Sequence, residues 1–311
     1  MPDVTVVIGN HQGEAVLTDC LESLRTQTLP PAETIVVDGG STDRSEEVAR
    51  AYGARWLPCE NIGLGHLYNR GAEAADTEMV LMANNDVAFD ERCLELLREP
   101  LLDDETLFAA DARQMDWSGQ RLVHARATLR RGSIFRELLP GFRLDLTSPA
   151  ETSMPTVTAN GGCMLVRRRM HLELGGFDET FFMDFEDIDL CWRAWLRGWG
   201  SVYVPEAVVR HRVGAVTTSA VMPRRLTSSH HNLLRFALKC LPPREAATIV
   251  AVELARMARH GKIVSAALLE IVREAPEILR LRRGLSPRRE LLGWMLAGQP
   301  PRNRATAGPP R

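Results

Sequence analysis

The first 90 residues alternate between short apolar runs and stretches whose apolar positions fall at helical spacing. Val4-Thr5-Val6-Val7-Ile8 is a continuous apolar run that ends at Gly9-Asn10. Residues 14–26 follow, with Val16, Leu17, Leu21 and Leu24 recurring about once per helical turn. A second apolar run, 34–37, ends at Asp38-Gly39-Gly40-Ser41, where Ser41 or Thr42 can cap a helix reaching Tyr52. Residues 55–57 predict a short strand and 65–75 a helix. Residues 79–82 predict a further strand that breaks at Asn84-Asn85-Asp86. Strands apolar on both faces, alternating with helices, predict an α/β fold with a parallel sheet covered on both sides. Ligands in such sheets bind beyond the carboxyl ends of the strands. The polar residues Asn10, His11, Asp38, Ser41, Asn84 and Asp86 cluster at those ends.

The pattern weakens over 103–157, which reads as an insertion or flexible segment with a turn at Trp117-Ser118-Gly119 and a basic stretch near 126–136. Regular structure resumes with a strand at 163–166, a helix over 168–174, a helix over 187–197 and a strand at 202–204. From Arg224 onward four helices are predicted, over 232–240, 244–260, 263–273 and 276–283. The Pro- and Arg-rich end, 301–311, predicts disorder.

Charge sharpens this division. The net charge is −2, but 17 Lys and Arg stand against 6 Asp and Glu from Arg224 onward, and 21 against 34 before it. An acidic body joined to a basic tail implies two different surfaces. The tail suits an anionic membrane surface or a phosphorylated acceptor; nucleic acid is not expected. The tail packing on the body or on a second subunit is an equal alternative. The six cysteines are scattered, with no CxxC pair, as in a reducing cytoplasm. No secretory signal and no run of about 18 apolar residues is expected to direct the chain into or across a membrane.

Three segments can carry chemistry. Asp86 follows an apolar strand, where a carboxylate has no packing role, and can hold a hard divalent cation against a nucleotide diphosphate. A strand-ending turn explains the same residues. Residues 38–43 combine small residues with a helix N-terminus, which favours anions; a capped turn explains them equally well. Phe185-Glu186-Asp187-Ile188-Asp189 sets three carboxylates beside aromatic side chains, and Phe181 and Phe182 precede them. A carboxylate in apolar surroundings can acquire a raised pKa and act as a general base. An acidic helix N-terminus accounts for the charges but not for the apolar setting.

These segments occur in a particular order, and in that order the chain resembles family 2 glycosyltransferases, especially bacterial rhamnosyltransferase-like members. The matching segments are VTVVIGNHQGEAVLTDCLESLRTQT (4–28), TIVVDGGSTDRS (34–45), ENIGLGHLYNRGAEAA (60–75), VLMANNDVAF (80–89), ANGGCMLVRRR (159–169), LGGFDETFFMDFEDIDLCWRAWLRGW (174–199) and VVRHRVGAVT (208–217). The resemblance implies a GT-A-type, Rossmann-like nucleotide-diphospho-sugar transferase domain over residues 1–223. Its donor-binding half would span about 1–90 and its acceptor and catalytic half about 91–223. A basic, mostly helical extension over 224–300 would follow.

The resemblance also implies roles. Asp38 would contact the donor base beside Asn10, with Gly40 and Ser41 in the same loop. Asn61, Gly63, Gly65 and Asn69 would line the donor pocket. Asn84-Asn85-Asp86 matches a DXD-type motif, with Asn84 where the first acidic residue is usual; Asp86 would hold Mg²⁺ or Mn²⁺ through the diphosphate, and His211 would complete that site. Asp187, in the Glu186-Asp187 pair, would deprotonate the acceptor. Residues 9–12 read Gly-Asn-His-Gln, which departs from the Thr/Ser-Tyr-Asn-like sequence usual there.

The expected activity is inverting, metal-dependent transfer of a rhamnose-like deoxyhexose or a hexose from a nucleotide-diphosphate sugar. The acceptor would be a hydroxyl of a glycan or polyprenyl-linked molecule in cell-surface polysaccharide synthesis. The expected location is cytoplasmic, at the inner face of the membrane, with a homo-oligomer left open. Two alternatives compete: a sugar nucleotidyltransferase, for which GNHQGE lacks the usual basic residues, and a non-catalytic nucleotide-sugar-binding scaffold.

Overall fold

A computed structural model describes residues 3–134, 137, 139–148, 150–212, 222–285 and 289–297; the side chains of 222–227 and 257–260 fall outside this description. The expected tail 301–311 and residues 213–217 of the last matching segment also lie outside it.

The amino-terminal half runs β1 (Val4–Asn10), α1 (Leu17–Arg25), β2 (Glu33–Asp38), α2 (Ser45–Ala51), β3 (Arg55–Pro58), α3 (Leu64–Ala74), β4 (Met79–Asn84), β5 (Val87–Phe89) and α4 (Cys93–Asp103). The middle contains β6 (Leu107–Asp116), β7 (Leu122–His124), β8 (Arg126–Arg131), β9 (Phe142–Ser148) and β10 (Met154–Pro155). Then come β11 (Cys163–Arg167), α5 (Arg168–Glu173), α6 (Glu186–Leu196) and β12 (Gly200–His211). Three helices follow: α7 (Met222–Cys240), α8 (Pro243–Leu285) and α9 (Arg289–Leu296).

The main sheet has the order β10-β12-β6-β11-β4-β1-β2-β3. Strands β3, β2, β1 and β4 are parallel, as the two-faced apolar runs of β1, β2 and β4 predict. The sheet is not parallel throughout: β11 lies antiparallel to both β4 and β6, and β12 is again parallel to β6. One face packs on α1 and α4 through Leu17, Leu21, Leu24, Leu94 and Leu97. The other packs on α3 and α6 through Leu67, Tyr68, Leu190 and Ala194. Gly71 lets α3 lie close on β1, since a Cβ there would stand 2.1 Å from Val7 Cγ1.

Three expectations need correction. The segment 103–157 is not an insertion: it supplies β6, in the middle of the sheet, and the β8–β9 hairpin. Strand β12 has 12 residues, where three were expected, because its second half continues along β6 and pairs with β5. The three helices expected over 244–283 are one helix, α8, of 43 residues. Gly261 faces open space, and Pro276 and Val272 are both exposed, so water can serve the carbonyl that proline leaves unpaired.

Across the expected boundary at 223/224 the apolar core is continuous. Leu233, Phe236, Ala237 and Cys240 of α7 share one cluster with Phe181, Phe185 and Trp192 of the α6 region and with Leu129 and Phe142 of the hairpin. No helix among the described residues is long and apolar enough to cross a membrane.

Candidate active site

The carboxyl ends of β1, β2 and β4, the loop before β11 and the end of β12 meet along one edge of the sheet. Register aligns Asn10 with Asp38 and Gly9 with Asn84. Asn10 Nδ2 donates to Asp38 Oδ1 at 2.8 Å, and Asn85 Nδ2 donates to Asn10 Oδ1 at 2.7 Å. Asp38 also accepts from the Ser41 backbone N–H (2.7 Å) and hydroxyl. Gln12 N donates to Ser41 Oγ at 2.8 Å, with Gln12 in the left-handed region at φ 52°. These bonds tie the loops after β1, β2 and β4 into one buried floor. Gly40, at φ 80°, leaves the space beside it open, and Asn61 is exposed against Gly39.

Asp86 and His211 face one another at the rim of this floor, Oδ1 to Nε2, at 3.1 Å. Asn84 Nδ2 lies 3.4 Å from the same His211 nitrogen, and Asn84 Oδ1 accepts from Tyr68 at 3.0 Å. A carboxylate oxygen and an imidazole nitrogen so close together suit a divalent ion such as Mg²⁺ or Mn²⁺. No cluster of three or more His, Cys, Asp or Glu among the described residues could hold an ion alone. The pair could hold an ion only together with further ligands.

A chain of polar contacts leads from this pair to Asp187. His211 Nδ1 lies 2.9 Å from Gln114 Oε1, and Gln114 Nε2 donates to Asn160 Oδ1 at 2.8 Å. Asn160 Nδ2 and Gly161 N reach Asp187 Oδ2 at 3.5 and 3.2 Å. Asn160 N also donates to Asp111 Oδ1 (3.0 Å), and Asp111 Oδ2 pairs with His124 Nε2 at 2.9 Å. Burial pushes the Asp187 carboxyl above its ordinary range, against the pull of the Gly161 and Ile188 N–H groups and of His124; Asp111 adds to the rise. Glu186 opens α6 beside it, and both face a cavity of about 450 Å³. Leu129, Phe142 and Leu144 of the hairpin, Trp192 of α6 and Phe236 of α7 form its apolar side. Asn160, Asp184 and Ser229 join the two acids on its polar side.

Gly63, Gly65 and Asn69, expected along the donor pocket, pack against the segment 177–182. Gly63, at φ 140°, abuts the backbone carbonyls of Phe181 and Phe182, and Gly65 abuts Phe177. Asn69 is buried and donates to Phe177 O (3.0 Å) and Glu179 (2.8 Å), while its oxygen accepts from Phe177 N (2.8 Å). These residues clamp α3 to the loop that leads to Asp187.

Sequence reasoning missed Asp111, Gln114, His124, Asn160 and Tyr68 as site residues. The available signal was Asp111, an acid set among alanines at 109–112.

A mixed sheet thus gathers at one edge a paired carboxylate and imidazole and a second, part-buried carboxylate. The family model for glycosyl transferase family 2 matches residues 5–175, and the chain belongs to that family. It is 33% identical over 216 residues to the N-acetylglucosaminyl-diphospho-decaprenol L-rhamnosyltransferase of Mycobacterium tuberculosis, covering 61% of this chain and 70% of that one. It is 25% identical to the O-antigen chain rhamnosyltransferase WbaN of Salmonella anatum, over 68% of this chain and 66% of that one. Among solved structures it is similar to a mannosyltransferase of Pyrobaculum calidifontis in complex with GDP-Man and Mn²⁺. That likeness has a TM-score of 0.55 at 17% identity, over 96% of this chain and 84% of that one. It is also similar to GalNAc-T7 with UDP, GalNAc and Mn²⁺, with a TM-score of 0.59 at 17% identity, over 78% and 49%. These likenesses establish the GT-A fold.

Proposed function

We propose that the chain transfers a sugar from a nucleotide-diphosphate donor to an acceptor hydroxyl, with inversion at the anomeric carbon. The observation that carries this reading is the continuous polar path from Asp86–His211, through Gln114 and Asn160, to Asp187. It ties the diphosphate side and the proton-accepting side of the reaction into one frame.

Asn10, Asp38 and Ser41 shape the floor under the nucleoside, and Asn85 ties that floor to the diphosphate side. Asp86 and His211 would hold Mg²⁺ or Mn²⁺, which when bound neutralises charge on the leaving diphosphate. Asp187 takes the acceptor hydroxyl's proton as that oxygen bonds to the anomeric carbon. The bond to the diphosphate breaks on the opposite face, and its electron pair leaves with the phosphate oxygen. A single displacement of this kind inverts the centre, by the geometry that governs inverting glycosidases. Glu186, beside the base, adds a hydrogen-bond acceptor for the acceptor sugar.

The cavity beyond Asp187 suits an acceptor with hydroxyls on one side and an apolar stem on the other, because its lining divides the same way. A rhamnose-like deoxyhexose or a hexose as donor sugar, and a glycan or polyprenyl-linked acceptor, follow from similarity to the mycobacterial and Salmonella enzymes. Peripheral contact with an anionic membrane is part of this reading. Leu254, Leu269, Val272 and Leu279 are exposed and recur close to whole helical turns along α8. Exposed Lys262, Arg273 and Arg280 flank them.

The test is a calorimetric screen of nucleotide diphosphates with and without Mn²⁺, on wild type and Asp86→Ala. Metal-dependent binding of one nucleotide, lost in Asp86→Ala, is expected. Absence of binding to every nucleotide in the presence of metal sinks the reading.

A further inference from the structure

Asp184 and Phe185 immediately precede the Glu186-Asp187 pair. Both hold left-handed backbone, at φ 67° and 72°, although neither is glycine. Side chains with a Cβ resist this conformation, and two in succession persist only when their surroundings hold them. Phe185 is also the residue from which α6 starts, so the turn sets the direction in which Asp187 leaves the loop.

Two side chains of α7 grip this turn from outside the loop: Ser229 Oγ donates to Asp184 Oδ2 at 3.2 Å, and Asn232 holds the backbone. Asn232 of α7 is fully buried, and its Nδ2 donates to Met183 O at 2.7 Å and to Asp184 O at 2.8 Å. Two carbonyls, one on either side of Asp184, thus share one amide. The helix that carries Asn232 is itself fixed to the same loop: Arg235 bonds Asp178 at 2.9 and 3.2 Å, and Lys239 pairs with both Asp178 and Asp189. His231, next to Asn232, lies 3.0 Å from Glu274 of α8.

We propose that Asn232 is a positioning residue for sugar transfer: by holding the Met183–Asp184 carbonyls it keeps the left-handed turn in place and so presents Asp187 to the acceptor hydroxyl. The inference rests on Asp187 being the base, as proposed above. It makes α7 a working part of the catalytic unit and extends the machinery of transfer beyond residue 223.

Three measurements on the full-length protein test it. In Asn232→Ala, kcat falls roughly 10- to 100-fold, the scale on which small misplacements of a reacting group act. KM for the donor and affinity for the nucleotide diphosphate stay within about twofold. Amide hydrogen exchange accelerates at 183–188 while the β1–β4 strands keep their protection. A second substitution, Asp184→Gly, gives the turn a residue at ease with positive φ and returns part of the lost kcat in the Asn232→Ala background. A uniform fall in kcat, nucleotide affinity and melting temperature, with no rescue by Asp184→Gly, makes Asn232 a packing residue and overturns the proposal. Unchanged exchange at 183–188 overturns it as well. If the wild type transfers no sugar, the reading of Asp187 as base fails separately, and the exchange measurement still decides whether Asn232 holds the turn.

Discussion

Replacing Asp187 by Asn separates the charge of this side chain from its shape. In the wild type, burial pushes the carboxyl above its ordinary range, and the Gly161 and Ile188 N–H groups only partly oppose it. A base with a raised pKa loses activity as pH falls through that raised value, so the acid limb of kcat/KM lies above the ordinary aspartate value of about 3.9. Removing a general base costs roughly 10²- to 10⁴-fold in rate, or about 3–5 kcal/mol on the barrier at 1.36 kcal/mol per tenfold. Stability carries an independent signature. A carboxyl whose folded pKa is raised binds its proton more tightly in the folded chain, so its contribution is fully present below the unfolded pKa. That contribution is lost as pH rises through the folded value. Asn does not titrate. The melting temperature of Asp187→Asn, relative to wild type, therefore rises between about pH 4 and pH 7.5. At the acid end the variant is the less stable protein. Three N–H donors now converge on Asp187, at Oδ1 from Ile188 and at Oδ2 from Asn160 and Gly161. An amide offers one oxygen to them, and a buried mismatch costs roughly 1–3 kcal/mol. Initial rates with saturating donor, and thermal melts across that pH range, read both quantities. A melting difference that stays flat with pH, or a rate loss below about tenfold, refutes the placement of an ionised, part-buried base here.

Arg235→Met removes a fully buried guanidinium that bonds Asp178 and Glu274; Lys239 still faces Asp178, so urea denaturation should show a loss near the lower end of the roughly 3–5 kcal/mol typical of broken buried pairs. Gly63→Ala forces a Cβ to φ 140° and to 3.1 Å from Phe182 O, which costs roughly 1–3 kcal/mol of backbone strain; kcat should fall more than donor affinity, and equal losses in both would show that Gly63 serves the donor side. Arg273→Glu with Arg280→Glu should weaken pelleting with anionic liposomes by roughly 30-fold or more, at about 1 kcal/mol per lost cation and more for reversal, without changing the melting temperature; equal pelleting of variant and wild type removes α8 as the membrane face.

Strands β1, β2 and β4 were legible because each is an apolar run closed by Gly, Asn or Asp, and the closing residues do form the floor at Asn10, Asp38 and Asn85. Strand β6 was not, because Asp111 interrupts its apolar run and alanine, weakly suited to strands, fills much of the rest. That acid is tolerated inside the sheet only because Asn160 and His124 satisfy it. The family motif located Gly63, Gly65 and Asn69 but not the residues they pack against. They meet residues more than 100 positions further along the chain, and such contacts leave no periodic trace in sequence. Gln114 escaped for the same reason: its partners, Asn160 and His211, come from segments 46 and 97 residues away.

Strain and buried charge gather on the same side of this molecule. Gln12, Asp184 and Phe185 are the non-glycine residues with positive φ among the described residues, and each stands at a loop bordering the floor at Asn10 and Asp38 or the carboxylate of Asp187. Asp178, fixed to α7, lies in the loop 174–185 that leads to α6 and Asp187. Burial alone would raise its carboxyl, yet Lys239 and Arg235 hold it well below the usual range. A buried ion cluster is a poor way to gain stability, since apolar residues of similar volume often do as well. What it supplies is register: Asp178 meets Arg235 and Lys239, one helical turn apart on α7, in a single geometry, whereas Leu233 or Phe236 could slide against other apolar partners. The same helix then brings Asn232 to the strained turn. On the proposed reading of Asp187 as base, a loop that delivers one carboxylate to one atom of an acceptor needs that definition more than it needs stability, and the helices after residue 223 supply its contacts.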